Sequence, residues 1–283
     1  MKPPVVVGVD GSAAALSAVR LATREAAQRG RSLRIIHAFE WPLAQFDISA
    51  FPQFMYQAAR RHADHLLAEA AATAAVSDRA VAVTTEILTG DPAVVLLAAA
   101  RDADLIVLGK RGVGGFAGLL LGSVTAQVAS HTETPVLVAR GEEHPVAPVV
   151  VGLDDLPEPG PVVEAAFAMA ERRDANLVAV HVQEAAVVAD AGPPVAGLET
   201  AQSRFQRIRT SALADGRVRH PGVSVRAETM SGRPGRILTQ LSEMSQLIVV
   251  GARGCGGFTG LMLGSVSQQL LHHSACPVLV VRR

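Results

Sequence analysis

Two glycine-rich loops with the same spacing have a composition that suits phosphate binding. The first reads Gly109-Lys-Arg-Gly112, then nine residues, then Gly122-Ser123; the second reads Gly251-Ala-Arg-Gly254, then nine residues, then Gly264-Ser265. Glycine allows positive φ angles and a close approach of the backbone to an anion, and consecutive N–H groups form a concave anion site. A helix that opens at each Gly-Ser pair would add free N–H groups, partial positive charge and a hydroxyl donor. We therefore predict two phosphate cradles.

The two loops belong to an internal repeat. Gly114–Val124 and Gly256–Val266 are identical at nine of eleven positions, at an offset of 142, and nearer the start of each copy the offset is 144. A period near 140 is far longer than the roughly 20–50 residues of a solenoid repeat, so two copies of one domain fit better. The charged stretch RGEEHPVA lacks periodicity and separates them. We predict domains over residues 1–141 and 147–283.

Each copy alternates short apolar strands with helices. In the first copy the pattern predicts strands near residues 4–10, 32–39, 80–88, 103–109 and 134–139, and helices near 12–30, 54–76, 91–101 and 122–131. In the second copy it predicts strands near 148–153, 176–183, 223–229, 246–251 and 277–281. Runs such as VVVGV and LIVLG are apolar throughout, which is typical of strands buried on both faces of a parallel sheet. The predicted fold class is α/β, with two tandem doubly wound domains whose five-stranded sheets are mainly parallel and bind ligands at the carboxyl ends of the strands.

Composition excludes several classes of protein. Of the 283 residues, 49% are hydrophobic and 18% are charged, which is typical of packed globular domains. Lys and Arg total 26, as do Asp and Glu, and only 4% are aromatic, so a dedicated nucleic-acid binder is not expected. Two cysteines cannot form a disulfide framework. No apolar run approaches the roughly 18 residues of a membrane span, and no signal-type core precedes Asp10. We expect a cytoplasmic protein without membrane insertion.

The paired loops and the strands around them resemble the ATP-binding subgroup of the universal stress protein family, in its tandem two-domain form. That subgroup carries the pattern G-x2-G-x9-G-[S/T], which both copies match completely, and Val7–Ser12 is similar to the family's G-x-D-x-S start. The resemblance implies Rossmann-like domains that bind ATP, either directly or through a Mg²⁺ ion on the phosphates. It also implies a nucleotide-dependent regulatory protein of the stress response, with at most slow ATP hydrolysis.

The resemblance further implies which residues surround each nucleotide. Val9 and Asp10 would lie beside the adenosine and Ala38 would contact the adenine, while the residues after the fourth strand wrap the ribose and phosphates. In the first copy the implied site is Gly8, Val9, Asp10, Ala38, Leu108, Gly109, Lys110, Arg111, Gly112, Val113, Gly114, Gly122, Ser123, Val124 and Thr125. In the second copy it is Gly152, Leu153, Asp154, Val182, Val250, Gly251, Ala252, Arg253, Gly254, Cys255, Gly256, Gly264, Ser265, Val266 and Ser267.

Several of these residues have simpler interpretations. Lys110 corresponds to Ala252 in the second copy, so its side chain could either be solvated or contact a phosphate. Arginines at positions 111 and 253 could contact a ligand or serve as surface charge. Asp10 could stabilise a turn after the strand or act on the nucleotide. Cys255 could be a small filler or a thiol made reactive by nearby anion-binding donors. We predict no catalytic residue and no dedicated metal site.

Three functions are compatible with these patterns. A regulatory nucleotide-binding protein accounts for both loops. An adenylating ligase of a related α/β class would carry a Ser-Gly-Gly-x-Asp-Ser type loop, of which Asp10-Gly-Ser12 is only a fragment, and no nucleophile–base pair occurs at a recognisable spacing. A structural module without ligand would lack the glycine pattern. A dinucleotide fingerprint over Gly112–Ala117 would follow the fourth strand rather than the first, which argues against a dehydrogenase. We favour the first function.

The copies differ where the first strand meets the first helix. Asp10-Gly-Ser12 leads directly into a helix, whereas the second copy reads Asp154-Asp-Leu-Pro-Glu-Pro-Gly160, which lacks the serine cap and adds two carboxylates. Extra negative charge near a triphosphate is unfavourable unless a cation intervenes, so the second site should be weaker or more dependent on metal. The family resemblance also implies that the apolar fifth strands, Val136–Ala139 and Val278–Val281, pair the two domains about a pseudo-twofold axis, and the whole chain could dimerise again.

Overall fold

A computed structural model of the protein describes residues 2–40, 53–113, 121–142, 144–154, 159–183, 201–253 and 263–282. The chain divides into two compact units, Met1–Arg140 and Gly141–Arg283. Strands and helices alternate in each unit, and every strand pair within a unit is parallel. None of the described helices is both long and apolar enough to cross a membrane.

The first unit has a five-stranded sheet in the order β3-β2-β1-β4-β5. Its strands are β1 (Val5–Gly8), β2 (Leu33–Phe39), β3 (Val83–Thr89), β4 (Leu105–Gly109) and β5 (Val136–Ala139). Its helices are α1 (Ala13–Arg29), α2 (Gln53–Ser77), α3 (Pro92–Ala100) and α4 (Ser123–His131). Successive strands run outward from β1 to β3, and the chain then returns to place β4 on the other side of β1. The carboxyl ends of β1 and β4 therefore form the topological switch point at which such sheets bind ligands.

Burial and helix capping explain why these segments adopt their structure. The side chains of Val5–Val7 in β1 and of Leu105–Val107 in β4 are inaccessible to solvent, as expected for strands covered on both faces. Ser12 caps α1, because its Oγ accepts the N–H of Ala15 at 3.1 Å. The same helix ends at Gly30, whose φ of 58° lies in the left-handed region that glycine tolerates.

The second unit repeats this topology, with the strand order β8-β7-β6-β9-β10. Its strands are β6 (Val149–Leu153), β7 (Leu177–Gln183), β8 (Val225–Ser231), β9 (Leu247–Gly251) and β10 (Val278–Val281). Its helices are α5 (Gly160–Arg172), α6 (Ala201–Arg219), α7 (Pro234–Leu241) and α8 (Ser265–His273), with a short 3-10 helix over Ser242–Met244. The predicted fold class, a tandem pair of doubly wound α/β domains, is confirmed.

All ten strands begin one to three residues later than the sequence pattern indicated, and β3 and β8 show how a turn causes the delay. β3 starts at Val83 rather than near residue 80, because the Asp78 carboxylate accepts the N–H of Ala80 at 2.8 Å and forms a turn there. β8 starts at Val225 rather than near residue 223, because the N–H of Val223 donates to the carbonyl of His220 at 3.1 Å. In both cases a local turn competes with the strand for the first residues.

Candidate functional site

The described site residues of the first unit lie at one edge of its sheet. Val7 of β1 is in register with Ile35 of β2 and with Val107 of β4, so these three strands end at the same edge. Asp10 and Ala38 therefore lie at this edge, together with the loop that leaves β4. α4 begins at Ser123, after that loop.

Asp10 fastens the loop after β4 to the end of β1. Its Oδ2 accepts the N–H of Val113 at 2.7 Å, and its Oδ1 accepts the N–H of Ser12 at 3.0 Å. The hydroxyl of Ser12 in turn donates to the carbonyl of Arg111 at 3.3 Å. We call these three bonds the Asp10 staple. The staple holds the first part of the loop against the first turn of α1, so Asp10 both stabilises a turn and positions the candidate phosphate loop.

Three glycines of the predicted site are explained by close packing. A Cβ on Gly112 would overlap Asp10 Oδ2, so a larger residue would displace the staple. A Cβ on Gly109 would lie 2.8 Å from the carbonyl group of Ala14, because the start of α1 passes directly over the end of β4. A Cβ on Gly8 would lie 2.9 Å from Leu96 Cδ1. Gly8 therefore has a packing role against α3 that is independent of any ligand.

The start of α4 has the geometry of an anion site. Gly122 precedes the helix with φ −74° and ψ 147°, and its N–H donates to the carbonyl of Lys110 at 2.9 Å. No side chain caps the first turn, so its N–H groups remain directed outward with the positive end of the helix dipole. Thr125 is buried, and its hydroxyl donates to the carbonyl of Gly109 at 2.8 Å. This bond ties α4 to the end of β4.

The second unit reproduces this attachment of helix to strand. The N–H of Gly264 donates to the carbonyl of Ala252 at 2.7 Å, and the hydroxyl of Ser267 donates to the carbonyl of Gly251 at 2.6 Å. α8 also starts without a side-chain cap. The bonds match those of the first unit at the repeat offset of 142, so both copies build the same helix anchor.

The remaining predicted site residues differ in exposure. Lys110, Ser123, Ser265 and Arg253 are exposed, whereas Ala252 is buried. The side chains of Val9, Leu108, Leu153, Val182 and Val250 belong to the hydrophobic core. Arg111, Val124, Asp154 and Val266 are half-buried. A Cβ on Gly152 would lie 2.7 Å from Leu238 Cδ1, matching the packing of Gly8. Gly114, Gly254, Cys255 and Gly256 lie outside the described residues.

One histidine at this edge was missed by the site prediction. His37 Nδ1 donates to the carbonyl of Val9 at 2.9 Å, and the N–H of Val9 donates to the carbonyl of Ile36 at 2.9 Å. Together these bonds fix Val9, the residue after β1, against β2 and directly before Asp10. The repeat contained the signal, because His37 corresponds to His181 at the offset of 144, and His181 is buried. Within the described ranges no group of three His, Cys, Asp or Glu side chains could hold a metal ion.

Comparisons with known proteins cover nearly the whole chain. The model of the universal stress protein family matches residues 1–140 and 146–282. Universal stress protein Rv1996 of Mycobacterium tuberculosis is 35% identical over 307 residues, covering 98% of this chain and 94% of that protein. Universal stress protein Rv2005c of the same organism is 32% identical over 99% and 97% of the two chains. The crystal structure of a universal stress protein from Archaeoglobus fulgidus has a TM-score of 0.72 at 20% identity, covering 99% of this chain and 98% of that chain.

Proposed function

The chain belongs to the universal stress protein family, as its sequence indicated, and we propose that it binds ATP and acts as a nucleotide-dependent regulatory protein. The observation that carries this proposal is the cradle of the first domain. There, the uncapped start of α4 and the loop held by Asp10 lie together at the carboxyl edge of the sheet. Such an edge is the usual ligand position in doubly wound sheets, and backbone N–H groups at a helix start favour phosphate.

The bonds already present in the cradle divide its donors into two groups. The N–H of Val113 is taken by Asp10, and the N–H of Gly122 is taken by Lys110. Among the described residues, the donors available to phosphate include those of the first turn of α4 and the exposed hydroxyl of Ser123. Asp10 carries negative charge at the same edge, so a Mg²⁺ ion between its carboxylate and the phosphates would remove their repulsion.

Three polar side chains of the cradle are already used to hold its backbone in place. Asp10, Ser12 and Thr125 are all engaged in bonds that hold the backbone in place. A general base must instead be within reach of a proton on the substrate or on water. We therefore propose that the nucleotide acts as a regulatory ligand and is hydrolysed slowly at most.

We propose a second nucleotide site at α8, because the helix anchor of Gly264 and Ser267 repeats that of the first domain. The pairing of the two domains through Val136–Ala139 and Val278–Val281 is a further proposal, which rests on the apolar composition of these strands. Small-angle scattering of the full chain tests it, since two independently moving domains would contradict it. Cytoplasmic location is proposed on composition alone.

The nucleotide proposal is tested by identifying what the protein carries. Protein purified without added nucleotide is denatured, and released small molecules are analysed by mass spectrometry. The nucleotide-free protein is then titrated with ATP, AMP, cyclic AMP and GTP by calorimetry. We expect ATP in the released fraction and saturable ATP binding. A folded protein that releases no nucleotide and shows no heat of binding with ATP would overturn the proposal.

A further inference from the structure

The second domain holds a histidine between two glutamates of a neighbouring helix. His220 directly follows α6 and is 8% exposed. Its Nδ1 lies 2.9 Å from Glu171 Oε2, and its Nε2 lies 3.0 Å from Glu164 Oε1. The imidazole also stacks on Phe167, with ring centroids 5.7 Å apart and an interplanar angle of 16°. All three partners lie on one face of α5, at spacings of three and four residues.

This geometry depends on the protonation of the imidazole. A carboxylate oxygen only accepts hydrogen bonds, so both contacts of His220 are satisfied only when both ring nitrogens carry a proton. In the neutral ring, one nitrogen lone pair would face a carboxylate oxygen. Burial lowers the pKa of His220, but the hydrogen bonds and negative charges of Glu164 and Glu171 outweigh it, so that the pKa lies above its ordinary value of 6.5.

Other charged groups lie on the segments around His220, and some of their contacts are defined. The adjoining segments carry further charged residues: Arg172 on α5, Arg173 and Asp174 directly after it, Arg207, Arg209, Asp215, Arg217 and Arg219 on α6, and Arg226 and Glu228 on β8. Arg219 Nη2 lies 2.8 Å from Glu164 Oε2, so this carboxylate receives positive charge on both oxygens. Arg226 and Glu228 pair with each other at 2.8 Å. Arg172 and Arg173 each approach the sulfur of Met169.

The first domain lacks the residues for such an arrangement. At the offset of 144, Glu164, Phe167 and Glu171 correspond to Arg20, Thr23 and Ala27, and at the offset of 142 His220 corresponds to Asp78. The substitution of all four positions makes this a property of the second domain alone.

We propose that His220, Glu164 and Glu171 form a proton-dependent clasp that fastens the end of α6 to α5. The stabilisation is complete below the pKa of histidine in the unfolded chain, because there the ring is protonated in both states. It is lost as the pH rises through the higher folded-state pKa, where the folded protein releases the proton. The second domain would then respond to pH whether or not either cradle holds a ligand.

The clasp is tested on the full-length chain by two measurements. The imidazole of His220 is titrated by NMR, and hydrogen exchange is compared at pH 6 and pH 8 after correction for intrinsic rates. We expect His220 to titrate above 6.5, and protection in the α5 and α6 peptides to fall about fivefold between the two pH values, as for the loss of one charge-assisted hydrogen bond. The α1 and α2 peptides should show no such change.

Two variants separate the clasp from general effects of pH. His220→Gln should remove the pH dependence in α6, while His62→Gln, which replaces an exposed histidine of α2, should preserve it. If His220→Gln does not fold, Glu171→Gln provides the second test, because Glu171 is half exposed and its replacement should lower the midpoint of the His220 titration. A His220 midpoint at or below 6.5, or equal protection at both pH values in the folded wild type, would overturn the proposal.

Discussion

The two domains share a sheet order and a helix anchor but differ at the entry to their first helices. α1 begins at Ala13, three residues after Asp10, and Ser12 caps it. α5 begins at Gly160, six residues after Asp154, and Pro159 precedes it without a side-chain cap. At the repeat offset of 144, Ala13 corresponds to position 157, so the second helix starts three positions late. The prolines of the second copy are consistent with this delay, since proline suits a helix start but not its interior.

This difference separates the cradle into two parts. The helix anchor, formed by Thr125 in the first domain and Ser267 in the second, needs only the fourth strand and the helix after it, and both domains have it. The Asp10 staple also needs the capped first turn of the first helix, because Ser12 contacts the carbonyl of Arg111 and the turn passes over Gly109. In the second copy Leu156 stands at the position of Ser12 and offers no hydroxyl for these bonds. A preorganised loop is therefore expected to favour nucleotide more in the first domain.

The largest predicted effect comes from blocking the two helix starts separately. A Cβ on Gly122 would meet its nearest neighbour, the Cα of Arg111, at 3.4 Å, so Gly122→Val should fold but crowd the phosphate. We expect ATP binding at the first site to weaken by about 2–3 kcal/mol, or roughly 30–150-fold, in calorimetry. Gly222→Val is the matched control, because a Cβ there has open space.

The paired variant Gly264→Val should remove only the weaker site. Comparison of the two variants ranks the sites directly, since each leaves one cradle intact. If the Gly122→Val protein retains the tighter binding, the second site is the stronger one and the Asp10 staple does not favour the first.

The sequence could predict the parts of the fold that depend on local pattern. Apolar strands and the glycine spacing lie within short segments, and the repeat supported each of these segments by its copy. Contacts between distant side chains had no such signal. The bond of Asp10 to Val113 joins residues 103 positions apart, and that of His220 to Glu171 joins residues 49 apart. These depend on packing that the linear pattern does not contain.

A smaller effect is expected when Mg²⁺ is removed. The sequence of the second copy carries Asp155 and Glu158 in addition to Asp154, so we expect a triphosphate there to meet more negative charge. Calorimetry with and without Mg²⁺ should show roughly tenfold weaker ATP binding without metal in the Gly122→Val protein, equivalent to about 1.4 kcal/mol. The Gly264→Val protein, which keeps the first site, should change less. Equal losses in the two proteins would mean that Asp155 and Glu158 do not make the second site more dependent on Mg²⁺.

Removing the helix cap should affect the stability of the first domain. Ser12→Ala deletes the bond to Ala15 and the bond to Arg111. We expect the free energy of unfolding to fall by about 1 kcal/mol, the usual cost of an N-cap substitution, in chemical denaturation. Pro159→Ala is the comparison in the second domain and should cost less, because Pro159 makes no capping bond. A similar loss in both variants would mean that the cap does not distinguish the domains.

The smallest effect is an acid response confined to the first domain. Arg34 on β2 donates two hydrogen bonds to Glu86 on β3, at 2.8 and 2.6 Å. The hydrogen bond from Arg34 holds the pKa of Glu86 below its ordinary value of 4.5. In the second domain Val178 replaces the arginine, and Glu228 pairs with Arg226 along its own strand instead. The cross-strand pair is therefore specific to the first domain.

A lowered carboxylate pKa stabilises the fold above the unfolded-state pKa, and this stabilisation is lost as the pH falls through the lower folded-state value. Glu86→Gln should therefore lower the free energy of unfolding at pH 7 by about 0.5 kcal/mol, since the Glu86 side chain is 37% exposed and solvent screens the pair. The difference from wild type should shrink below pH 4. The proposed His220 clasp has the opposite sign and weakens as the pH rises. Chemical denaturation of the Glu86→Gln and His220→Gln proteins between pH 3 and pH 8 would show whether the two domains respond to protons in opposite directions. A loss of unfolding free energy in Glu86→Gln that grows on acidification would contradict this assignment.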